Sequence, residues 1–228
     1  VLESDDQGAV DMWGDGTYRG NVFRYNYWHH LGNWVRQGEE ASRERAGIRL
    51  DDAISGVLIQ GNVFHRCCAT PTHFGAVQIH GGKENVIEGN LFMDCGAAVS
   101  FTPWGDKRWR EFVANALDAP AIDRERYLER YPLLAQLEEG HDVNTVRGNA
   151  VLRCDQLFLR APGNTESVDN REYPESAAFP EGPDGRLVWS TDEAEKFAVA
   201  DIPFEKIGLY EDVWRSRRGQ ELVLHNQR

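Results

Sequence analysis

The sequence predicts an all-β fold: a right-handed single-stranded parallel β-helix, a solenoid, with a helical insertion and an irregular C-terminal extension. Three observations predict it. A seven-residue phrase recurs, Gly-Asn-Val-Phe-His-Arg-Cys from Gly61 and Gly-Asn-Leu-Phe-Met-Asp-Cys from Gly89, with related copies from Gly20 (Gly-Asn-Val-Phe-Arg-Tyr-Asn) and Gly148 (Gly-Asn-Ala-Val-Leu-Arg-Cys). A second motif runs in phase with it: Val10-Asp-Met-Trp, Ile48-Arg-Leu-Asp, Val77-Gln-Ile-His and Val99-Ser-Phe-Thr, with Leu157-Phe-Leu-Arg as a fifth copy. The basic unit holds no helical pattern. A fixed period in the twenties marks stacked units that each bury an apolar face against the next. Alternation of apolar with polar or bulky residues marks strands.

The Gly-Asn copies start 41, 28 and 59 residues apart. With a period of 28, the first gap carries an insert and the last a longer one. The columns then take physical roles. Asn21, Asn62, Asn90 and Asn149 stack at a turn, where an Asn side chain hydrogen-bonds locally and tolerates a tight bend. Phe23, Phe64, Phe92 and Val151 point inward. Arg19, Gln60, Glu88 and Arg147 form a solvent-facing column, and Cys67, Cys95 and Cys154 share a column with Asn26. The four cysteines read as a buried reduced ladder; without a C-x-x-C pair, zinc at Cys67, Cys68 and Cys95 is disfavoured.

Taken in order, residues 1–103 hold three rungs and the start of a fourth. The chain begins at Val1 inside a rung, which predicts the C-terminal part of a longer β-helix or a trimmed chain. Leu31–Ala46, rich in Gly, Arg and Glu, reads as a loop. Residues 104–140 carry helical spacing at Trp109, Phe112, Val113 and Leu117, and again at Tyr127, Leu128, Tyr131 and Leu134. Asp123 is placed to cap the second helix and Pro132 to bend or end it. Asn144–Arg160 returns to the coil, so the solenoid spans 1–160. Residues 161–228, rich in Pro, Gly, Glu and Asp, read as an extension packed on the coil or the helices.

Composition narrows the partners. The 228 residues are 41% hydrophobic, with a formal charge of −12 and a pI near 5.0. Such an acidic balance disfavours nucleic acid and anionic lipid, and no apolar run is long enough to span a membrane.

The chemistry concentrates on two outward columns, Asp11–Arg49–Gln78–Ser100 and Trp13–Asp51–His80–Thr102. Rungs lie about 4.8 Å apart and alternate residues about 7 Å apart, which puts Asp51 beside His80 and Asp11 roughly 8 Å from Asp51. An inverting glycosidase uses two carboxyl groups roughly 6.5–9.5 Å apart. Asp11 and Asp51 meet that spacing, Asp52 competes for the outward place, and Asp5, Asp6 and Asp15 add carboxylates nearby. Arg49 would keep Asp11 ionised, and His80 would hold or tune Asp51. Trp13 or Trp104 would stack on a sugar ring. The plain readings are a surface ion pair for Asp11–Arg49, turn chemistry for Asp51-Asp52, and a tight turn after a strand for His80-Gly81-Gly82. His29-His30 sits in an aromatic loop, where consecutive His residues seldom share one metal.

The segments "ESDDQGAV", "AGIRLDDAISGVLIQGNVFHR" and "AVQIHGGKENVIEGNLFMDC", with the insert ending "RYPLL", resemble bacterial right-handed parallel β-helix proteins around glycoside hydrolase family 141, within the pectate-lyase-like superfamily. The resemblance covers about residues 1–160, with an echo in "IPFEKIGLY". It implies a secreted or periplasmic carbohydrate-active enzyme, with α-L-fucosidase and xylanase among the group's activities and paired Asp residues for catalysis. Carried onto this chain, those are Asp5-Asp6 and Asp51-Asp52, with "IHGG" at His80.

The sequence therefore predicts a glycoside hydrolase. Its candidate catalytic residues are Asp51, Asp52, Asp11, Asp6 and His80; its candidate substrate-binding residues are Asp5, Trp13, Arg49, Gln78 and Trp104. It expects an oligo- or polysaccharide substrate and neither cofactor nor metal. A polysaccharide lyase is the alternative, with Arg49, His80 and Lys83 as candidate bases and calcium held by clustered Asp. A non-catalytic glycan-binding β-helix, with Trp13, Trp28 and Trp34 as its platform, is a further one.

Overall fold

The structure, a computed structural model, describes residues 6–32, 44–68, 73–183, 187–199 and 201–207. Five rungs of three strands each follow one another along the chain. They are β1 (Gln7–Trp13), β2 (Val22–Arg24) and β3 (Tyr27–Leu31); β4 (Arg45–Asp51), β5 (Leu58–Gln60) and β6 (Val63–Cys67); β7 (Val77–His80), β8 (Val86–Glu88) and β9 (Leu91–Met93). The fourth rung is β10 (Ala97–Thr102), β11 (Thr145–Arg147) and β12 (Ala150–Leu152); the fifth is β13 (Gln156–Leu159), β14 (Glu166–Val168) and β15 (Arg171–Tyr173). Corresponding strands pair in parallel, making three sheets of five strands among the described residues, ordered β1-β4-β7-β10-β13, β2-β5-β8-β11-β14 and β3-β6-β9-β12-β15. This is a right-handed parallel β-helix.

The interior is made of stacked identical or similar side chains. Phe64 and Phe92 lie parallel with ring centroids 4.9 Å apart, and Trp28 stacks on Phe64 at 6.3 Å. In the second sheet Ile59, Ile87 and Val146 are fully buried and register with Phe23. In the first, Leu50, Ile79 and Phe101 do the same. Each such side chain contributes about 1.5–3 kcal/mol of burial.

The register of the first rung differs from the reading of the repeats. The structure places Asn26, not Asn21, over Asn62. Asn26, Asn62, Asn90, Asn149 and Asn170 form one ladder, in which each Oδ1 accepts from the backbone N–H and the Nδ2 of the Asn on the preceding rung, at 2.8–3.1 Å. The residue before each Asn sits at positive φ: Tyr25 (60°), Gly61 (61°), Gly89 (60°), Gly148 (61°) and Asp169 (53°). Glycine takes that conformation at no steric cost, but Tyr25 and Asp169 occupy it too, and this hid the first and last copies. Gly20-Asn21 belongs to the preceding corner, where Asn85 and Asn144 make a second ladder. Asn thus marks one corner in all five rungs and the preceding corner in three of them, at Asn21, Asn85 and Asn144.

Further corrections follow from that shift. Trp28 rather than Phe23 heads the Phe64–Phe92–Val151 column. Arg24 rather than Arg19 heads the Gln60–Glu88–Arg147 column; Arg19 is instead buried against Glu84. Leu31, not Asn26, pairs with Cys67. In the fifth rung Phe158, not Leu157, registers with Val99. The coil also runs beyond residue 160, through β15.

The cysteines are free. Cys95 N–H donates to Cys154 Sγ at 3.4 Å, and burial pushes the Cys95 thiol well above its ordinary range.

The helical insertion lies between β10 and β11, with α1 (Asp106–Val113), α2 (Arg124–Arg130) and 3-10 turns at Ala116–Asp118 and Pro132–Gln136. Asp123 caps α2 by accepting from Arg126 N–H, and the helix stops before Pro132. Trp104, Trp109, Val113, Leu134 and Leu137 bury against Ala53 of the turn after β4, and the Trp109 indole donates to Leu137 O at 2.8 Å. The insertion therefore sits over the C-terminal ends of the first-sheet strands.

Residues 174–207 pack on the outer face of the third sheet. Phe179, Leu187, Phe197, Ile202 and Phe204 cover Val63, Leu91, Met93, Ala150 and Leu152. The segment carries α3 (Thr191–Lys196), capped by Ser190, which accepts from Glu193 N–H at 3.2 Å. Among the described residues no helix is long and apolar enough to cross a membrane. Most of the loop expected at Leu31–Ala46, and Trp34 with it, lies outside the described residues.

Candidate functional site

Parallel pairing brings the outward residues of the first sheet into line. Asp11 registers with Arg49, Arg49 with Gln78 and Gln78 with Ser100; Trp13 registers with Asp51, and His80 with Thr102. Both columns read from the sequence have this register.

Arg49 is the hub. Its guanidinium reaches Asp51 Oδ2 at 3.0 Å, Asp6 Oδ1 at 2.9 Å and Asp11 Oδ2 at 3.4 Å. Its other face lies 5.5 Å from the Phe74 ring centroid. A guanidinium's width thus separates the Asp11 and Asp51 carboxylates. Asp51 is also held by His80, Nδ1 to Oδ1 at 2.7 Å. Burial works to raise the Asp51 carboxyl, but the His80 hydrogen bond and the Arg49 charge outweigh it, and the group sits below its ordinary value.

Asp51 and its neighbour Asp52 differ in kind. The Asp51 side chain is 11% exposed and that of Asp52 25%. Asp52 turns outward because β4 ends there: Asp52 (φ 44°) and Ala53 (φ 65°) are consecutive left-handed residues, pinned by Ala53 N–H donating to His80 O at 3.1 Å. Non-glycine residues in that region cost of order 1–3 kcal/mol each and cluster at functional sites. Asp52 Oδ2 accepts from the Trp13 indole N–H at 2.8 Å, and Oδ1 lies 3.5 Å from His80 Nδ1.

The insertion supplies a group that the sequence reading missed. Arg108 of α1 reaches Asp52 Oδ1 at 3.6 Å and lies 3.8 Å over the Trp104 ring. Its signal in the sequence was weak: one Arg on the polar side of a helix that replaces a turn at the end of the same sheet.

The structure withdraws two candidates for substrate contact. Trp104 is 2% exposed, sealed between His80, Trp109, Phe112 and Arg108, so its ring offers no face to a sugar. Gln78 is 1% exposed and bonds to Ser100 and Thr102. Ser100 in turn accepts from Gly75 N–H, so the first column is covered beyond Arg49. Trp13, at 70% exposure, presents an open ring. Asp6 is exposed at the rim; Asp15 is engaged in its own turn with Thr17. Asp5 lies outside the described residues. Lys83 is buried, its ammonium donating to the Gln136 and Glu139 carbonyls.

What remains is a patch at one end of the first sheet: two carboxylates on either side of Arg49, a third turned outward on a strained turn, an Asp-held imidazole and an exposed indole. It can bind a polar, ring-shaped ligand and move protons. Comparison with protein-family models, with curated proteins and with solved structures returns no match.

Proposed function

We propose that this protein is a carbohydrate-active enzyme that hydrolyses glycosidic bonds of an oligo- or polysaccharide, in the manner of the family 141 glycoside hydrolases its sequence resembles. The observation that carries this reading is the division of labour among the aspartates. Asp51 is nearly buried and bonded to His80 and Arg49, while Asp11 and the more exposed Asp52 flank that centre. Asp11, beside Arg49, takes the role of general base: it accepts a proton from the water that attacks the anomeric carbon. Asp52 donates a proton to the leaving glycosidic oxygen as the carbon–oxygen bond breaks. Asp51 orients His80 and Asp52. Trp13 offers the stacking face for the sugar next to the cleaved bond, and Arg108 contacts the substrate from the insertion side. The reading carries with it a secreted or periplasmic location for the protein.

The geometry favours hydrolysis over elimination. Of the three candidate lyase bases, Lys83 is tied to two carbonyls, Arg49 is engaged by three carboxylates, and His80 is held through Nδ1 by Asp51.

Mass spectrometry of products from a panel of plant and host glycans tests the proposal. Products heavier by one water, lost together in Asp11→Asn and Asp52→Asn, are expected. Unsaturated products absorbing in the ultraviolet would replace it with a lyase. Glycan binding without turnover, unchanged by those substitutions, would replace it with a binding module.

A further inference from the structure

A second polar cluster lies on the third sheet, where the C-terminal segment crosses it. We propose that His65, Asp94 and Glu181 form a binding site for a divalent transition metal of the zinc type, which clamps that segment to the coil.

Three observations carry the inference. The donor atoms His65 Nε2, Asp94 Oδ2 and Glu181 Oε1 lie within 4.8 Å of one another. His65 is fully buried, and its Nε2 has no hydrogen-bond partner, which is rare for a buried polar atom. The distances from that nitrogen, 3.5 Å to Asp94 Oδ2 and 3.7 Å to Glu181 Oε1, are long for hydrogen bonds. They are close to the edge of a coordination tetrahedron, about 3.3–3.6 Å for metal–ligand bonds of about 2.0–2.2 Å.

The surroundings suit this role. His65 Nδ1 lies 3.0 Å from Tyr27 Oη, which also accepts from Leu187 N–H at 3.3 Å. An Nδ1–H donated to Tyr27 leaves the Nε2 lone pair facing the two carboxylates, the usual outer support of a metal-bound imidazole. Arg153 forks Asp94, Nε to Oδ1 at 2.7 Å and Nη2 to Oδ2 at 2.5 Å, and Arg66 donates to Glu181 Oε1 at 3.0 Å. Both carboxylates are therefore held in place. Their charge is also offset by the two guanidiniums, so a hard cation held by charge alone gains little, and the imidazole nitrogen selects a softer metal. The Asp51–Asp52–His80 group has comparable donors, but there His80 Nδ1 is already bonded to Asp51.

The test uses the full chain, stripped with a chelator and titrated with cobalt(II) and zinc(II), with calcium(II) as the contrast. One cobalt per chain is expected, with ligand-field bands and no thiolate charge-transfer band, displaced by zinc and not by calcium. Glu181→Gln, on the accessible side, is expected to weaken binding about tenfold or more, and Tyr27→Phe about tenfold, with circular dichroism unchanged. Lack of saturable binding would overturn the proposal. So would a thiolate band, which would place the metal on the cysteines, or an affinity unmoved by Glu181→Gln and Asp94→Asn. None of these readouts depends on the hydrolase reading.

Discussion

His80 Nδ1 and Asp51 Oδ1 meet at 2.7 Å across 29 residues of sequence. One turn of the coil separates them, so the pair is built by rung stacking rather than by any local motif. The same stacking sets Arg49 against Asp11 and Trp13 against Asp51. The neighbouring Asp52 then leaves the strand on a left-handed turn. These relationships make specific predictions.

Asp52→Asn removes the outward carboxylate but keeps its shape. Turnover is expected to fall by about 100- to 10,000-fold, the range for loss of a general acid or base, with little change in melting temperature. Steady-state kinetics beside a thermal melt check it.

Asp51→Asn is expected to cost stability as well as turnover. The folded Asp51 carboxyl is held below its ordinary value. A depressed carboxylate adds stability above its unfolded value, and that stability is lost as pH falls through the folded one. Denaturation midpoints taken from pH 7 into the acid range should fall more steeply for the parent than for Asp51→Asn. Parallel curves would show that the pair contributes nothing to folding.

Phe92→Ala opens a void beneath Phe64 in the middle of the aromatic stack. A loss of about 3–5 kcal/mol is expected, read from urea denaturation with an unchanged m-value.

Asn90→Ala breaks the ladder between Asn62 and Asn149 and leaves the buried Asn62 N–H without its acceptor. The cost is expected to be about 1–3 kcal/mol. Asn21→Ala, at an exposed corner where the side chain donates to Tyr18 O, should cost much less. The ratio of the two tests the corrected register directly, because aligning Gly20 with Gly61 would predict equal losses.

Arg108→Ala removes the one cation that α1 brings to Asp52. A rise in KM larger than any fall in kcat is expected if the insertion binds substrate. An unchanged KM would confine the insertion to covering the end of the coil.

The architecture and the middle of the site were legible in the sequence because both follow from periodicity. A one-residue slip in a stacked sheet would turn every core side chain outward, so Ile48, Val77 and Val99 allowed only one register for Arg49, Gln78 and Ser100. Where the repeat marker was ambiguous, periodicity misled. Asn stands at two corners in the first, third and fourth rungs, and Tyr25 and Asp169 adopt the backbone conformation that Gly61, Gly89 and Gly148 advertise. The first rung was therefore misregistered at its later strands, and the last two strands of the fifth were overlooked.

By itself, then, the sequence determined that this chain coils, which side chains stack, and that Asp51 stands beside His80, since these depend on short-range repetition and strand pairing. Only the tertiary structure decided what covers what. The insertion folds back on Ala53, so Trp104 is sealed while Arg108 reaches Asp52. The C-terminal segment packs on the third sheet and brings Glu181 to His65 across more than a hundred residues. Such contacts are set by the burial of apolar faces far apart in the chain, and no local pattern records them.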